Sequence, residues 1–322
     1  MSDITLVLVE HDRGTLAPAT LEALAAARSL GGPIEALSIG AAADPLAAEL
    51  GAHGVAAVHQ VHHELLTDYG PEAWGEVLTQ AIGALSPAVV LATGTDRGNE
   101  VMAQAAARLD LPFSANCTEL RPGDRFEMTR VRWGGSLLED ATLDSDIKLL
   151  TIAHHAVEAA PADTPGAATA VALEVTLDPS LARSVVKGRV EREAGVTLST
   201  APVVVGGGRG VGSADGFTAL ELLAAELGGV VGCSRAVTNN GWRSHTAQVG
   251  QTGTRIAPDV YFACGISGAI QHWVGAMASK NIIAINTDKD ANMVTKAGYA
   301  VIGDLHVVVP AITEEIRRRR AG

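Results

Sequence analysis

The chain has 322 residues, of which 47 % are hydrophobic and 19 % are charged, and its formal net charge is −12. This length and composition predict a globular protein with two domains, or one large domain, and an ample core. The acidic balance argues against nucleic-acid binding, and no apolar run approaches the roughly 20 residues that span a bilayer, so no direct membrane insertion is expected.

The first half alternates strand-like and helix-like segments. Short apolar runs predict strands, and longer segments with apolar residues at helical spacing predict helices. This alternation is typical of a mostly parallel sheet covered by helices on both faces. The predicted strands are Ile4–Val9, Ile34–Ile39, Val55–Val61 and Ala88–Ala92, and the predicted helices are Leu16–Leu30, Glu72–Leu85 and Asn99–Leu109.

The segment from Phe126 to Val175 contains strand-like runs without helices between them, which predicts an antiparallel extension of the sheet. A charged stretch and Gly195 then precede a new apolar strand. We therefore place a domain boundary between about residues 185 and 200, with an N-terminal domain at 1–190 and a second domain at 198–322. The strands of the extension are expected at Phe126–Trp133, Lys148–Ala153 and Ala170–Leu177.

The second half alternates again, with shorter elements bounded by Gly, Asn or Asp. This pattern predicts a doubly wound α/β domain with its functional turns at the carboxyl ends of the strands. Arg317–Arg320 would place favourable positive charge at the end of the last helix. The predicted strands are Val203–Val205, Val230–Val231, Val260–Ala263, Ile282–Ile285 and Ala300–Ile302, and the predicted helices are Phe217–Leu227, Ile270–Met277 and Ala311–Arg320.

Small or polar residues follow most strands of the second half. Arg209 lies in the run Gly206–Gly210 and can pair with a phosphate, although the spacing fits neither the dinucleotide fingerprint nor a phosphate-binding loop with its lysine. Each such residue has an ordinary explanation as part of a turn, a helix cap or a solvated surface. Their recurrence at successive strand ends predicts a cofactor site at that edge of the sheet.

The stretch Val260–His272 is the most informative part of the chain. An apolar strand ends in small residues, and we expect Ser267 and Gly268 to begin a helix that carries Gln271 and His272 in its first turns. Unpaired N–H groups at such a helix start suit an anionic ligand. A protonated His272 is expected to lie against the negative charge of that ligand.

The remaining histidines and cysteines predict no further chemistry. His53, His59, His62 and His63 cluster without the spacing of a metal site, and the pair at 154–155 is equally unspecific, so no metal site is predicted. There is no Ser-His-Asp elbow and no pair of carboxylates, so no catalytic residue is predicted either. The three cysteines are far apart, which predicts buried thiols without disulfides and a cytoplasmic location.

The second half resembles the α subunit of electron transfer flavoproteins, including the FixB type. The resemblance rests on six motifs that occur in the order the family shows: Gly-Gly-Arg-Gly, Ser-Arg, Gln-Val-Gly-Gln-Thr-Gly, Gly-Ile-Ser-Gly-Ala-Ile-Gln-His, Ala-Ile-Asn and Gly-Asp-Leu. It covers roughly residues 200–316, while the first half matches only through Leu91–Gly94 and Ala105–Asp110.

The resemblance implies a fold and a cofactor site. It implies an N-terminal domain like the adenine-nucleotide hydrolases and a second domain like deoxyhypusine synthase that holds most of an FAD. Its implied cofactor-binding residues are Arg209, Ser234, Arg235, Gln248, Val249, Gly250, Gln251, Thr252, Ser267, Gly268, Ala269, Ile270, Gln271, His272, Asn286, Asp304 and Leu305.

The matched positions also imply where each group lies along the cofactor. Arg235 is expected near the isoalloxazine, Thr252 near flavin N5, and His272 near N1 and the C2 carbonyl. The run 267–270 is expected along the ribityl and pyrophosphate, and Arg209 at the pyrophosphate or the adenine end. The residues Asn286, Asp304 and Leu305 are expected toward the adenosine.

The resemblance further implies a heterodimer with a β subunit that carries AMP or a second FAD. The complex would carry electrons from flavin dehydrogenases, as in fatty acid β-oxidation, to a quinone oxidoreductase or another acceptor, with no substrate chemistry of its own. Three alternatives stay open: an electron-bifurcating complex that oxidises NADH, a nicotinamide-binding enzyme of related fold, and an assembly protein with a vestigial site.

The chain departs from the family's usual pattern at four places. Thr238–Trp242 stands where the family commonly has Asp-Ala-Gly-Trp, and Thr287–Asn292 replaces a Lys-Asp segment followed by proline. Arg130–Gly135 replaces Arg-Pro-x-Tyr-Gly-Gly, and His154-His155 stands where Arg-Pro is frequent. These departures bear on the subgroup, the partner dehydrogenase and the flavin potentials.

Overall fold

The computed structural model describes residues 3–188 and 196–321. The contacts divide the chain into two compact units, one formed by residues 1–133 and 137–191 and the other by residues 134–136 and 192–322. The predicted boundary region includes residues 189–195, which lie outside the described residues. Across the described ranges, no helix has the length and apolar character that a membrane crossing requires.

The first unit contains a nine-stranded sheet and a small hairpin. Along the sheet the strands follow the order β11-β5-β4-β1-β6-β10-β7-β8-β9, and β2 pairs with β3 in the hairpin. The strands are β1 Thr5–Leu8, β2 His11–Asp12, β3 Thr15–Leu16, β4 Ile34–Ile39, β5 Val55–Val61, β6 Val89–Thr93, β7 Phe113–Arg121, β8 Phe126–Arg132, β9 Leu137–Leu143, β10 Lys148–Ile152 and β11 Thr169–Ala172. The α-helices are α1 Pro18–Leu30, α2 Ala47–Ala52, α3 Pro71–Leu85 and α4 Asp96–Leu109.

Helices cover this sheet on both faces, as its continuous apolar strands predict. One buried cluster joins α1 to one face of the sheet and a second joins α3 and α4 to the other. All four residues of β1 are buried because the strand lies in the middle of the sheet. Helix α4 starts where the Thr95 hydroxyl accepts a hydrogen bond from the Gly98 amide at 3.0 Å, which satisfies one of its free N–H groups.

The predicted antiparallel extension is only partly correct. The antiparallel pairs are β7 with β8 and β8 with β9. Strand β10 instead enters the sheet between β6 and β7 and runs parallel to both, and β11 runs parallel to β5 at the opposite edge. The sequence prediction was wrong for β10 and β11 because it inferred direction from the absence of intervening helices, whereas both strands reach distant partners.

The second unit contains a five-stranded sheet whose strands are all parallel. Their order is β13-β12-β14-β15-β16. The chain adds β13 on one side of β12 and β14 to β16 on the other, so the strand order reverses between β12 and β14. The strands are β12 Val203–Gly207, β13 Val230–Cys233, β14 Val260–Cys264, β15 Asn281–Asn286 and β16 Tyr299–Ile302. The α-helices are α5 Thr218–Glu226, α6 Arg235–Asn239, α7 Ile270–Ala276, α8 Asn292–Lys296 and α9 Leu305–Ala321.

Two helix starts in the second unit bear on the candidate site. Helix α7 begins at Ile270, as its predicted bounds have it, whereas the expectation that Ser267 and Gly268 begin this helix was wrong, because Gly268 has a φ of +78° that a helix excludes. Helix α9 begins at Leu305, six residues before the predicted start, and contains Pro310 in its second turn, where one backbone hydrogen bond is lost.

The arginines at the end of α9 form ion pairs. Arg317 contacts Glu226 of α5 at 2.6 Å, and Arg320 reaches the same carboxylate at 3.7 Å. Arg318 and Arg319 both pair with Glu315 within α9. The arginine run thus ties α9 to α5. The predicted fold class is confirmed, with two mostly parallel sheets flanked by helices, while the likeness of the second unit to deoxyhypusine synthase stays a prediction.

Candidate cofactor site

The carboxyl ends of the second-unit strands border one crevice of about 570 Å³. Ligands of doubly wound sheets bind where the strand order reverses, and here that point lies between β12 and β14. The lining comes from the loops that follow β12, β13, β14 and β15. The lining residues are Arg209, Gly210, Ser234, Arg235, Ala236, Gly265, Ile266, Ser267, Gly268, Ala269, Gln271, His272, Asn286, Asp288 and Ala291.

The floor of the crevice is backbone packed against backbone. The amide of Gly208 donates to the Cys264 carbonyl at 2.8 Å, and that of Gly210 donates to the Gly265 carbonyl at 3.1 Å. A Cβ atom added at Gly208 would lie 2.1 Å from the carbonyl oxygen of Gly265. Only glycine at position 208 allows these two loops to meet, and their close approach leaves the space above them for a ligand.

Positive charge and free donors face this crevice. The guanidinium groups of Arg209 and Arg235 form no hydrogen bond or ion pair with any residue the structure describes. In the loop before α7, the amides of Ser267, Gly268 and Ala269 likewise donate to none of the described residues. Cations and convergent N–H groups are the donors that bind phosphate, so this side of the crevice is suited to an anion.

His272 carries a buried nitrogen without a partner. Its Nε2 lies 2.8 Å from the hydroxyl oxygen of Tyr261, a residue fully enclosed by the core of the unit. Its Nδ1 is buried and forms no hydrogen bond of normal geometry within the described parts of the chain. The backbone of Val249 also interacts with the ring, so the imidazole is held from within the unit while His272 lines the crevice.

The imidazole of His272 is neutral, contrary to the sequence expectation. Burial lowers its pKa to about 4, and the backbone of Val249 opposes this shift only in part. At neutral pH the ring therefore offers an N–H group and not a positive charge. The expectation failed because it placed His272 at an exposed helix start, whereas the side chain is 6 % exposed.

Family models and relatives identify the chain's family. Residues 5–178 match the electron transfer flavoprotein domain, and residues 197–277 match the electron transfer flavoprotein FAD-binding domain. The electron transfer flavoprotein subunit alpha of Mycobacterium leprae is 37 % identical over 98 % of each chain, and that of Bacillus subtilis is 34 % identical over 99 % of this chain and 98 % of its own.

The chain belongs to the electron transfer flavoprotein α-subunit family. A third relative, the probable mitochondrial electron transfer flavoprotein subunit alpha of Caenorhabditis elegans, is 37 % identical over 96 % of this chain and 92 % of its own. These matches confirm the resemblance drawn from the motifs, and they extend it to the first half, where the sequence motifs were weak.

Nine of the residues expected to bind the cofactor line the crevice, and eight do not. The turn at 248–253 lies outside the lining: Gln248 is 4 % exposed, whereas Thr252 is exposed to solvent. The Oε1 of Gln248 accepts from the Thr238 hydroxyl at 2.9 Å and its Nε2 donates to the Thr252 hydroxyl at 3.0 Å. Gln248 thus fixes the turn to α6. The eight residues outside the lining are Gln248, Val249, Gly250, Gln251, Thr252, Ile270, Asp304 and Leu305.

The polar residues that follow β15 and β16 have structural partners. Asn286 lines the crevice, but its amide nitrogen donates to the Ile266 carbonyl at 3.1 Å and its oxygen accepts from the Asp288 amide at 3.1 Å. Asp304 accepts from the amide of His306 at 2.9 Å and so caps the start of α9. Leu305 is buried against Gly265. These residues shape the loops around the crevice.

Sequence reasoning missed six lining residues. Gly265 and Ile266 lie inside the motif that carried the resemblance, directly before the run 267–272 that was assigned to the cofactor. Asp288 and Ala291 fall in the departing segment at 287–292, where no family motif marks them. The six are Gly210, Ala236, Gly265, Ile266, Asp288 and Ala291.

A larger cavity, of about 910 Å³, opens in the first unit. Arg13 contacts Asp12 at 3.1 Å there, and Nε2 of His62 contacts Asp44 at 2.8 Å. Arg97 lies over the ring of Tyr69, 4.9 Å from its centroid. The crevice of the second unit instead combines two arginines with a loop of free amides, so it is better suited to an anionic cofactor despite its smaller volume.

Proposed function

We propose that this chain is the FAD-binding α subunit of a heterodimeric electron transfer flavoprotein. It carries electrons from flavin dehydrogenases to a quinone oxidoreductase or another acceptor and performs no substrate chemistry of its own. One observation carries the proposal. Arg209, Arg235, His272 and the loop 267–269, whose amides donate to none of the described residues, all line the same crevice at the reversal of the strand order.

The donor set fits the parts of an FAD. Arg209 and the amides of Ser267, Gly268 and Ala269 are suited to the pyrophosphate, since phosphate oxygens accept several N–H donors at once. Arg235 supplies positive charge for the isoalloxazine. Gln271 lies on the same wall and offers both a donor and an acceptor. The match to the FAD-binding family model, which ends just after α7, supports the same assignment.

Bound FAD would supply the group that accepts and releases electrons. The chain's own residues set the electrostatics around it. The neutral imidazole of His272 is expected near the edge of the ring that gains negative charge on reduction, and Arg235 is expected to stabilise the same charge. His272 is already held by its contact with Tyr261, whereas the guanidinium of the exposed Arg235 forms no hydrogen bond or ion pair with any of the described residues and would be positioned by the cofactor.

The partner we propose is a β subunit that binds AMP or a second FAD, and the complex is cytoplasmic. The relatives named above are all called subunit alpha, which supports an assembly with a second subunit. Electron transfer needs a short distance from the flavin edge to the redox partner. A crevice open to solvent at the rim meets that need better than a sealed pocket.

Purification together with the β subunit, followed by quantitation of flavin and nucleotide, tests the proposal. One FAD and one AMP per heterodimer, with flavin reduction by a flavin dehydrogenase, is the expected result. Two FAD per heterodimer with reduction by NADH would replace the simple carrier by an electron-bifurcating complex. A colourless complex that retains a nicotinamide nucleotide would contradict the proposal.

A further inference from the structure

Three potential metal ligands converge in the first unit. Glu22 lies on α1, and His154 and His155 form the turn that follows β10. One ligand atom from each residue lies within 4.8 Å of the other two. Glu22 is more than 130 positions from the histidines in the chain, so no sequence spacing marks the cluster.

The backbone places both imidazoles on the same side of the turn. Consecutive residues of an extended segment point in opposite directions, and a pair of adjacent histidines would then diverge. His155 instead has a φ of +62°, in the left-handed region that is rare for residues other than glycine. The two ring centroids are consequently 3.8 Å apart at an interplanar angle of 36°.

Glu22 is oriented toward this pair. The carboxylate is buried, and its Oε2 accepts the amide N–H of His155 at 2.7 Å. Its Oε1 lies 3.4 Å from Nδ1 of the same residue. Two ligands bound at about 2.0–2.1 Å to one tetrahedral Zn²⁺ ion are separated by about 3.3 Å, so this pair already has the spacing of metal ligands.

We propose that Glu22, His154 and His155 bind a divalent transition-metal ion of the zinc class, with water in the open position. Two imidazoles and a carboxylate are a ligand set that prefers Zn²⁺ or Co²⁺ to the oxygen-seeking Mg²⁺ and Ca²⁺. The backbone hydrogen bond to Oε2 holds the carboxylate in place, as outer-shell contacts commonly do.

The bound ion would link α1 to the end of β10. Because the unfolded chain does not bring Glu22 near the two histidines, the ion binds the folded state preferentially and raises the unfolding temperature. This proposal is independent of the flavin. A chain that binds no metal ion could therefore still be an electron transfer flavoprotein subunit. A chain that binds no FAD could likewise still bind the metal ion.

The test uses the full chain without a histidine tag, stripped with a chelator and then titrated with Zn²⁺ by calorimetry. Titration with Co²⁺ provides an absorption spectrum that reports the ligand geometry. We expect one ion per chain and a higher unfolding temperature in its presence. His154→Ala and Glu22→Gln should each weaken the affinity about tenfold or more.

His155→Asn is the sharpest variant because asparagine tolerates the left-handed backbone. It removes the imidazole while preserving the turn, so it should lose the ion and keep its circular dichroism spectrum. The matched control is His62→Ala/His63→Ala, which removes the other adjacent histidine pair of this unit and should bind one ion normally.

Two results would overturn the proposal. One is a chain that binds no Zn²⁺ in calorimetry. The other is an affinity that drops in the His62→Ala/His63→Ala control but not in His155→Asn. If Glu22→Gln fails to fold, the two single histidine variants still decide between these outcomes.

Discussion

The hydroxyl oxygen of Tyr261 lies 2.8 Å from Nε2 of His272, and both side chains are buried beneath the crevice. Burial raises the pKa of Tyr261 well above its ordinary value, so the phenol keeps its proton. Either atom can be the donor in this contact. If the phenol donates to Nε2, the imidazole proton lies on Nδ1, and the tyrosine then selects the tautomer of the ring.

Tyr261→Phe tests this relationship. The substitution leaves Nε2 buried without a partner, and we expect the free energy of unfolding to fall by about 1–3 kcal/mol. Nitrogen NMR of labelled histidine should show the Nδ1–H tautomer of His272 in the original chain and a mixture in the variant. Tyr299→Phe, at an exposed tyrosine, is the control. An unchanged tautomer in Tyr261→Phe would disprove the donor role of the phenol.

Arg209→Ala and Arg235→Ala should weaken FAD binding. A hydrogen bond to a charged group contributes about 1.5–3 kcal/mol, so each variant is expected to lose roughly tenfold or more in affinity. Arg235→Ala should also lower the midpoint potential of the first electron, because a positive charge near the ring is removed. Equilibrium flavin titration and redox titration of the heterodimer measure these effects.

Arg317→Ala provides the matched control for both arginine variants. It also removes a partly exposed arginine of the second unit, but one that pairs with Glu226 and lies outside the crevice lining. Full flavin content and an unchanged potential are expected. If all three variants behaved alike, the arginine effects would reflect overall charge and not a site.

The neutral state of His272 makes stability depend on pH. Its pKa is about 4 in the folded chain and about 6.5 in the unfolded chain. As the pH falls below 6.5, the unfolded chain binds a proton that the folded chain does not, so stability is lost down to about pH 4 and changes no further below it. The loss from this residue is about 3 kcal/mol.

His272→Gln isolates this effect from other titrating groups. Urea unfolding of both chains between pH 7 and pH 4 gives the difference in unfolding free energy at each pH. We expect the original chain to lose its advantage over the variant as the pH falls. Parallel pH profiles would show that the pKa of His272 does not differ between the folded and the unfolded chain.

Gly208→Ala should disrupt the floor of the crevice. The added methyl group would lie 2.1 Å from the Gly265 carbonyl oxygen, and backbone cannot yield as a flexible side chain can. We expect loss of flavin and a lower unfolding temperature. Gly298→Ala is the control, since its added Cβ would have only one neighbour within 4 Å, the Ile282 carbonyl oxygen at 3.9 Å. Normal flavin binding by Gly208→Ala would contradict the close packing of these loops.

The sequence predicts most of the second sheet because its strands are short apolar runs bounded by glycine or polar residues. It does not reveal β7 and β9, where charged and polar residues are mixed with apolar ones along strands that are only partly buried. It also cannot give the direction of β10, because pairing with β6 and β7 depends on contacts between segments far apart in the chain.

The sequence predicts that the candidate site lies at the carboxyl ends of the second-unit strands, but it does not predict the contacts and protonation state of each residue there. Arg209 and Arg235 were recognised because charge at a strand end is unusual next to glycines. The supporting role of Gln248 and the neutral state of His272 depend on burial, which no spacing reveals. Thr252 was expected near the flavin, yet it contacts Gln248, and its approach to a cofactor stays a prediction.

The shape and the charge of the crevice depend on different groups. Its shape is determined by backbone atoms of the loops after β12 and β14, which approach so closely that position 208 must be glycine. Its positive charge comes from the guanidinium groups of Arg209 and Arg235, which are not packed against these loops in the same way. Under the proposed function, substitutions of the arginines would change the reduction potential of the flavin while the shape of the crevice is retained. Such a chain would adapt to a new redox partner through changes in single side chains.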